Sequence, residues 1–232
     1  MPDDKKKRRS TVTLIIFTWN EVDGMKAIMP RINPGWYDQL IIVDGGSTDG
    51  TVEYARQQGY FIFRQQQRGA GAAFLESVAK ATGDILIVFS PDGNSIPEKI
   101  PELVAKMEEG YDFVIVSRYL DGAKSYDDDA VTAFGNWFFT TLLRMLFRAP
   151  ITDALVMYRG YRREIVKKLG VSTPTVSWGT QILARAARKG LKIGEIPGDE
   201  PPRIGGVRKM SPLKNGTSEL LMTLREFFNW SY

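Results

Sequence analysis

Leu40-Ile41-Ile42-Val43-Asp44-Gly45-Gly46-Ser47-Thr48-Asp49-Gly50-Thr51 is the stretch on which the reading of this chain turns. Leu40–Val43 is a short run, apolar on both faces, which suits a parallel strand covered by helices. The glycines after it let the backbone turn sharply and let another group approach closely. Thr48 or Asp49 can cap a following helix, and Thr51–Gln58 has helical length and composition. A plain turn explains the glycines but not the density of aspartates and hydroxyls. In parallel sheets, ligands bind beyond the carboxyl ends of the strands. Asp44, at a strand tip, is placed to accept hydrogen bonds from a base N–H or from sugar hydroxyls.

Outward from this stretch the same grammar repeats. Val12–Phe17, Tyr60–Phe63, Ile85–Phe89 and Phe113–Val116 are further strand-sized apolar runs. Ala70–Ala81 and Pro97–Met107 read as helices, and Gly59, Gly83 and Gly110 stop the helical segments. Strand–helix alternation predicts an α/β fold with a mostly parallel central sheet flanked by helices. The second half is less regular. Ala130–Phe147 reads as a long aromatic-rich helix, Val156–Tyr158 as a strand, and Arg162–Leu169 and Gly179–Lys189 as helices. Residues 197–216, rich in Pro and Gly, read as a long functional loop. Ser218–Trp230 places Leu220, Leu221, Leu224, Phe227 and Phe228 at helical spacing. Such a stripe packs on the core or a partner subunit, or lies on a membrane surface. A homodimer contact through Phe227, Phe228, Trp230 and Tyr232 is one expectation. The organisation expected is a leader over 1–10, one catalytic-sized domain over 11–216 and a terminal amphipathic helix over 217–232.

Composition narrows the chemistry. The chain has 232 residues, 43% of them hydrophobic and 25% charged, which is ordinary for a globular domain. It contains neither cysteine nor histidine. Disulfides, thiolate or imidazole metal sites, cysteine nucleophiles and histidine bases are therefore excluded. The net charge of +4 is concentrated in Lys5, Lys6, Lys7, Arg8 and Arg9. The body is near neutral, so no nucleic-acid-binding surface is expected. The leader reads as a solvated segment, or as a contact to anionic lipid head groups. No apolar run reaches the ~18–20 residues needed to span a bilayer, and no signal peptide is visible. A cytoplasmic protein, or one peripheral on the cytosolic face of a membrane, is expected.

The other strand ends add candidates. After the first strand come Trp19-Asn20-Glu21, where Asn20 either caps a helix or reaches a ligand hydroxyl with Glu21. After the third come Arg68-Gly69-Ala70-Gly71, a helix start whose free N–H groups would attract an anion. After the fourth come Ser90-Pro91-Asp92-Gly93-Asn94, then Pro97-Glu98. Asp92 and Asn94, two residues apart in a bent loop, could converge on one Mg²⁺ or Mn²⁺, which takes oxygen ligands and substrate phosphates. Pro-Asp-Gly-Asn is equally a turn sequence.

These segments, with Ser117-Arg118-Tyr119, Asp153 through Tyr158-Arg159 and Arg203–Lys209, resemble in order and spacing the family 2 glycosyltransferases of the GT-A fold, on the dolichyl-phosphate mannose synthase-like branch. The likeness runs over roughly residues 11–216. It implies a nucleoside-diphosphate sugar donor, UDP- or GDP-linked, and inverting transfer to an acceptor, possibly lipid-linked, assisted by Mg²⁺ or Mn²⁺. It implies that Asp44 reads the base, with Asn20, Glu21, Gly46 and Ser47 in the same nucleotide-binding set and Arg68 and Gly69 near the ribose and diphosphate. Asp92 would hold the metal with help from Asn94, and Arg203 and Lys209 would close on the diphosphate. Arg118 and Arg159 would face the acceptor, and Asp153 would act as base or sugar contact. The chain departs from the family at Ser90, where an aspartate is usual, so weak metal binding without donor is expected. Gly45 replaces a frequent second aspartate, and Gln181 a frequent glutamate. Tyr126-Asp127-Asp128-Asp129 stands where polyprenyl-phosphate users commonly place a basic residue. Carboxylates there would repel a phosphate, or, more plainly, would precede and stabilise a helix N-terminus. A nucleotidyltransferase on a similar scaffold, a fold-retaining scaffold without catalysis and a peripheral membrane module are the other readings.

Overall fold

The structure is a computed structural model that describes residues 10–205 and 211–228. The chain opens with β1 (Val12–Thr18), α1 (Val22–Ile28), β2 (Gln39–Asp44) and α2 (Thr51–Gln57). It continues through β3 (Ile62–Arg64), α3 (Ala70–Lys80), β4 (Ile85–Phe89), α4 (Lys99–Glu108) and β5 (Phe113–Ser117). After α5 (Ala130–Phe147) come β6 (Arg159–Arg162), α6 (Arg163–Leu169), α7 (Trp178–Arg188), β7 (Ile193–Pro197) and α8 (Pro212–Phe228).

The strands form one sheet in the order β3-β2-β1-β4-β6-β5-β7. All neighbours run parallel except β6, which is antiparallel to both β4 and β5. Side chains alternate between two cores, as a strand buried on both faces requires. Val12, Leu14 and Ile16 of β1 face one core with Ile28 of α1, Ala55 of α2 and Leu103 of α4. Ile15 faces the other with Phe74 of α3, Leu143 of α5 and Ile182 of α7. The expected mostly parallel α/β sheet is therefore present, as three layers.

Four local expectations differ. Val156–Tyr158 is not a strand; the pairing segment is β6, just after it. Its Arg-Gly-Tyr-Arg sequence carries no apolar alternation, and Gly160 is there because a Cβ would lie 2.3 Å from Leu103 Cδ2 of the crossing α4. The strand β7 was not anticipated, and the helix that Asn20 was offered to cap, α1, begins at Val22 with no side-chain cap. The C-terminal helix starts at Pro212, inside the stretch expected to be loop. Residues 1–9 of the leader, Lys209, Trp230 and Tyr232 lie outside the described residues.

The register sets up the site. Thr18 is level with Asp44, and Ile16 with Phe89, so β1, β2 and β4 end side by side. Chain connections leave β1 toward β2 on one side and reach β4 on the other. That divergence is the crevice where open α/β sheets bind ligands.

Candidate active site

Asp44 is buried at the tip of β2, and the following turn wraps its carboxylate. Gly46 N donates to Oδ2 at 2.9 Å and Ser47 N donates to the same carboxylate at 3.1 Å. Gly46 has φ +103°, a left-handed conformation that glycine adopts freely. The turn is tied to the end of β1: Ser47 Oγ accepts from Asn20 N at 2.8 Å, and Asn20 Oδ1 accepts from Thr48 N at 2.8 Å. Asp49 binds Val22 N at 3.1 Å and Thr51 N at 3.0 Å, joining the starts of α1 and α2. Asn20 is thus a cross-loop clamp rather than a helix cap. A shallow cavity beside Asp44 and Ser47 is also lined by Arg56 and Arg64, two cations that sequence reading passed over for Arg68.

The loop after β4 completes the crevice. Gly24 of α1 has no Cβ, which would lie 2.4 Å from the Pro91 carbonyl oxygen. This close approach brings Glu21 toward Asp92. Between them lies Arg203, whose Nη1 donates to Glu21 Oε1 at 3.0 Å and whose Nη2 donates to Asp92 Oδ2 at 2.8 Å. Ile204 N donates to the Asp92 carbonyl at 2.7 Å, and Asn94 Nδ2 donates to the Pro201 carbonyl at 2.8 Å. The segment 201–205 is therefore strapped over the ends of β1 and β4 by the residues the sequence singled out for donor and metal. Among the described residues no cluster of three or more carboxylates could hold a metal unaided. Two carboxylates clasping one guanidinium are nevertheless a seat built for positive charge. Asp92, with the Asn94 amide oxygen and donor phosphates, fits a hard dication.

The strap links this seat to a second charged cluster. Three residues before Arg203, Glu200 Oε2 accepts from Arg118 Nη1 at 3.0 Å. Arg118 also grips Asp153, through Nε at 2.7 Å and Nη2 at 3.0 Å, and reaches Asp128 at 3.4 Å. Asp128 accepts from the Tyr119 hydroxyl, and Glu200 from Ser125 Oγ. Asp153 is fully buried, and its Oδ1 also accepts from Leu155 N and Val156 N. Burial alone would raise its pKa, but the Arg118 guanidinium outweighs it and holds the carboxyl below the usual range. Such a carboxylate is a poor base, and both of its oxygens are engaged. Glu200 is shifted the other way: burial pushes its pKa up, offset in part by Arg118. Sequence reading had no signal for Glu200, because its partner lies 82 positions away.

Two expected ligand contacts, at Gly69 and Arg159, differ. The amides opening α3 are taken by the chain: Gly71 N donates to Pro174 O at 3.0 Å, and Ala72 N donates to it at 3.2 Å. A Cβ on Gly69 would lie 2.1 Å from Pro174 O, so this glycine serves backbone packing rather than a phosphate cradle. Arg68 is exposed on the preceding loop. Arg159, expected to face an acceptor, is 2% exposed and donates to Val156 O and Ala154 O at 2.6 and 2.5 Å, bracing the loop after Asp153. Gln181 fixes another turn, accepting from Ser172 N and Thr173 N. Of the aspartate run, Asp128 faces inward and Asp129 caps α5 through Thr132 N at 2.8 Å, so a structural account covers both.

The seven-stranded sheet flanked by helices, with its crevice at the ends of β1, β2 and β4, has the GT-A architecture of glycosyltransferases. Residues 13–170 match the model of Glycosyl transferase family 2, and the chain belongs to that family. It is 30% identical over 206 residues to an "Uncharacterized glycosyltransferase" of Mycobacterium tuberculosis, covering 89% of this chain and 92% of that protein. A "Dolichyl-phosphate hexose transferase" of Haloferax volcanii is 27% identical over 210 residues, covering 89% and 90%. Among solved structures, glucosyl-3-phosphoglycerate synthase from Mycobacterium tuberculosis, in complex with Mn²⁺, uridine diphosphate and phosphoglyceric acid, superposes with a TM-score of 0.73 at 22% identity. That likeness covers 97% of this chain and 80% of the other.

Proposed function

We propose that this family 2 enzyme moves a hexosyl group, with inversion, from a nucleoside-diphosphate sugar bound at the β1/β2/β4 crevice to an acceptor oxygen at the Arg118 cluster. The observation that carries the reading is Arg203, which ties the end of β1 to the end of β4 through Glu21 and Asp92. In this reading Asp44 and the 45–48 turn hold the nucleoside. Asp92 and Asn94 would hold Mg²⁺ or Mn²⁺, which supplies electrostatic stabilisation of the departing diphosphate. Arg203 adds positive charge where the leaving group develops its negative charge. Asp153 is a positioning residue that orients Arg118.

The relatives' names support a polyprenyl-phosphate acceptor. One observation favours a neutral hydroxyl instead: every nitrogen of the Arg118 guanidinium already faces a carboxylate. A phosphate would have to displace Glu200 and Asp128. A hydroxyl needs a base, whereas a phosphate does not, and Glu200, with its raised pKa, is suited to that task. Transfer assays with polyprenyl phosphate and with lipid-borne alcohols separate the two. Asp92→Ala is expected to abolish transfer to either acceptor, while Glu200→Gln is expected to abolish transfer to alcohols only. Full activity of Asp92→Ala removes the metal assignment. Equal transfer to alcohols by Glu200→Gln removes the base assignment.

A further inference from the structure

Arg159 and Glu219 are buried charges that the proposed reaction leaves without a task. Arg159 stands on β6 and Glu219 on α8, and the first turn of α7 lies between them. The Arg159 guanidinium lies over Gly179, where a Cβ would come 2.7 Å from Nη1. Any other residue at 179 would push that guanidinium away, so the glycine is there to admit a charge. At the next position of α7, the Thr180 side chain meets the Glu219 carboxylate. The Ser177 and Ser218 hydroxyls, 3.2 Å apart, close the same contact between α7 and α8.

Three buried atoms of this layer have no hydrogen-bond partner: Arg159 Nη1, Glu219 Oε2 and the hydroxyl of Tyr161 beside Arg159. They are a donor, an acceptor and a group able to do either. Buried atoms of this kind are costly unless they satisfy one another. The charges agree with that complementarity. Burial raises the pKa of Glu219, while the Thr180 side chain and the Arg159 guanidinium oppose the rise. Glu219 and Arg159 therefore complete each other across Gly179 and Thr180, directly or through one bridging water.

The other nitrogens of Arg159 face the loop that carries Asp153. Nε donates to Val156 O at 2.6 Å and Nη2 donates to Ala154 O at 2.5 Å. The amides of the same loop, Leu155 N and Val156 N, donate to Asp153 Oδ1 at 3.3 and 3.2 Å. Asp153 in turn grips Arg118 at 2.7 Å. A continuous line of contacts thus runs from α8 through Arg159 and the 153–156 loop to Arg118. We infer that Glu219 is a positioning residue, which from α8 fixes the Arg159 guanidinium and through it the loop that aims Arg118 at the acceptor. The C-terminal helix is then a working part of the transfer site, although none of its residues touches substrate. The effect on transfer rests on the proposed reaction; the coupling of α8 to the loop does not.

Hydrogen exchange of the full chain reads the coupling directly. Glu219→Gln keeps the shape of the side chain and removes its charge. It is expected to speed exchange of the 154–156 amides roughly tenfold, with the Gly46 and Ser47 amides of the donor turn unchanged. The double variant Arg159→Gln with Glu219→Gln should exchange no faster there than Arg159→Gln alone, because the line is already cut. If Glu219→Gln does not fold, Glu219→Asp, which keeps the charge on a shorter stem, should show the same pattern at smaller size. In transfer assays, Glu219→Gln is expected to lower kcat roughly tenfold at unchanged donor KM, and Glu219→Asp to recover most of the loss. Unchanged 154–156 exchange in the Glu219 variants overturns the inference, as does an additive effect in the double variant. Faster exchange with an unaltered kcat overturns the positioning role. Absence of transfer by the wild type counts against the proposed reaction, and the exchange result then decides the coupling by itself.

Discussion

At the scale of single residues, Arg203 is the most informative side chain. Its guanidinium holds Asp92 Oδ2 at 2.8 Å and Glu21 Oε1 at 3.0 Å, so a dication entering without donor must displace it from Asp92. Arg203→Ala is expected to raise the affinity of the donor-free protein for Mn²⁺ several-fold by titration calorimetry. The same change should lower transfer roughly 100-fold, because one charge facing the leaving group is lost. Weaker Mn²⁺ binding in the variant would show that Arg203 supports the seat rather than fills it. Asp153 gives a second test. Its pKa lies below the ordinary 3.8 because Arg118 outweighs burial. The stability it contributes is therefore complete above pH 3.8 and lost as pH falls through its lowered pKa. Asp153→Asn should cost about 3 kcal/mol at neutral pH, since it leaves Arg118 short of a buried partner. Its stability should also fall less steeply in acid, as followed by urea unfolding across pH. Asp44 and Asp92 were legible from sequence because strand-end position and turn chemistry are local. Glu200 was not, because long-range pairing with Arg118 creates its role. Gly69 misled because close backbone packing and phosphate binding leave the same mark, a glycine before a helix.

At the scale of elements, α8 is held largely by polar contacts: the residues it buries are Glu219, Met222, Thr223 and Glu226, while the leucine and phenylalanine stripe expected to pack on the core is exposed. Glu226 takes Arg185 Nε at 2.9 Å and Nη2 at 2.8 Å, and Gln181 Nε2 at 3.0 Å, all buried against α7. Breaking a buried pair from one side costs about 3–5 kcal/mol. Glu226→Ala should lower Tm by roughly 6–12 °C, taking about 3 kcal/mol at 2–4 °C each. An unchanged melting curve would mean that the helix docks through its apolar residues alone. The same element shows where periodicity stops informing. Its stripe was legible, yet the start at Pro212 was not, because proline and glycine neighbours read as loop. β6 was illegible for a different reason: its pairing is imposed by β4 and β5 on either side, and its arginines and glycine answer to the loop after Asp153 and to α4. By contrast, Leu14–Phe17 of β1, Leu40–Val43 of β2 and the whole of β4 are unbroken apolar runs, and that alone marks them as interior strands.

At the scale of the molecule, the order β3-β2-β1-β4 places three loops, distant in sequence, at one crevice, and the 199–205 strap joins that crevice to the Arg118 cluster. Strand–helix alternation made the sheet foreseeable; the bridge between its two charged clusters is a property of the folded chain only. The central claim is that this crevice binds a nucleoside-diphosphate sugar. The most direct measurement is thermal unfolding of the wild type and Asp44→Ala with UDP-glucose and GDP-mannose in the presence of Mn²⁺. A donor present at about 100 times its Kd stabilises by about 2.7 kcal/mol, so Tm of the wild type should rise by roughly 5–11 °C with one of them. The rise should be absent in Asp44→Ala. No shift with either donor, or an equal shift in both proteins, would contradict the account.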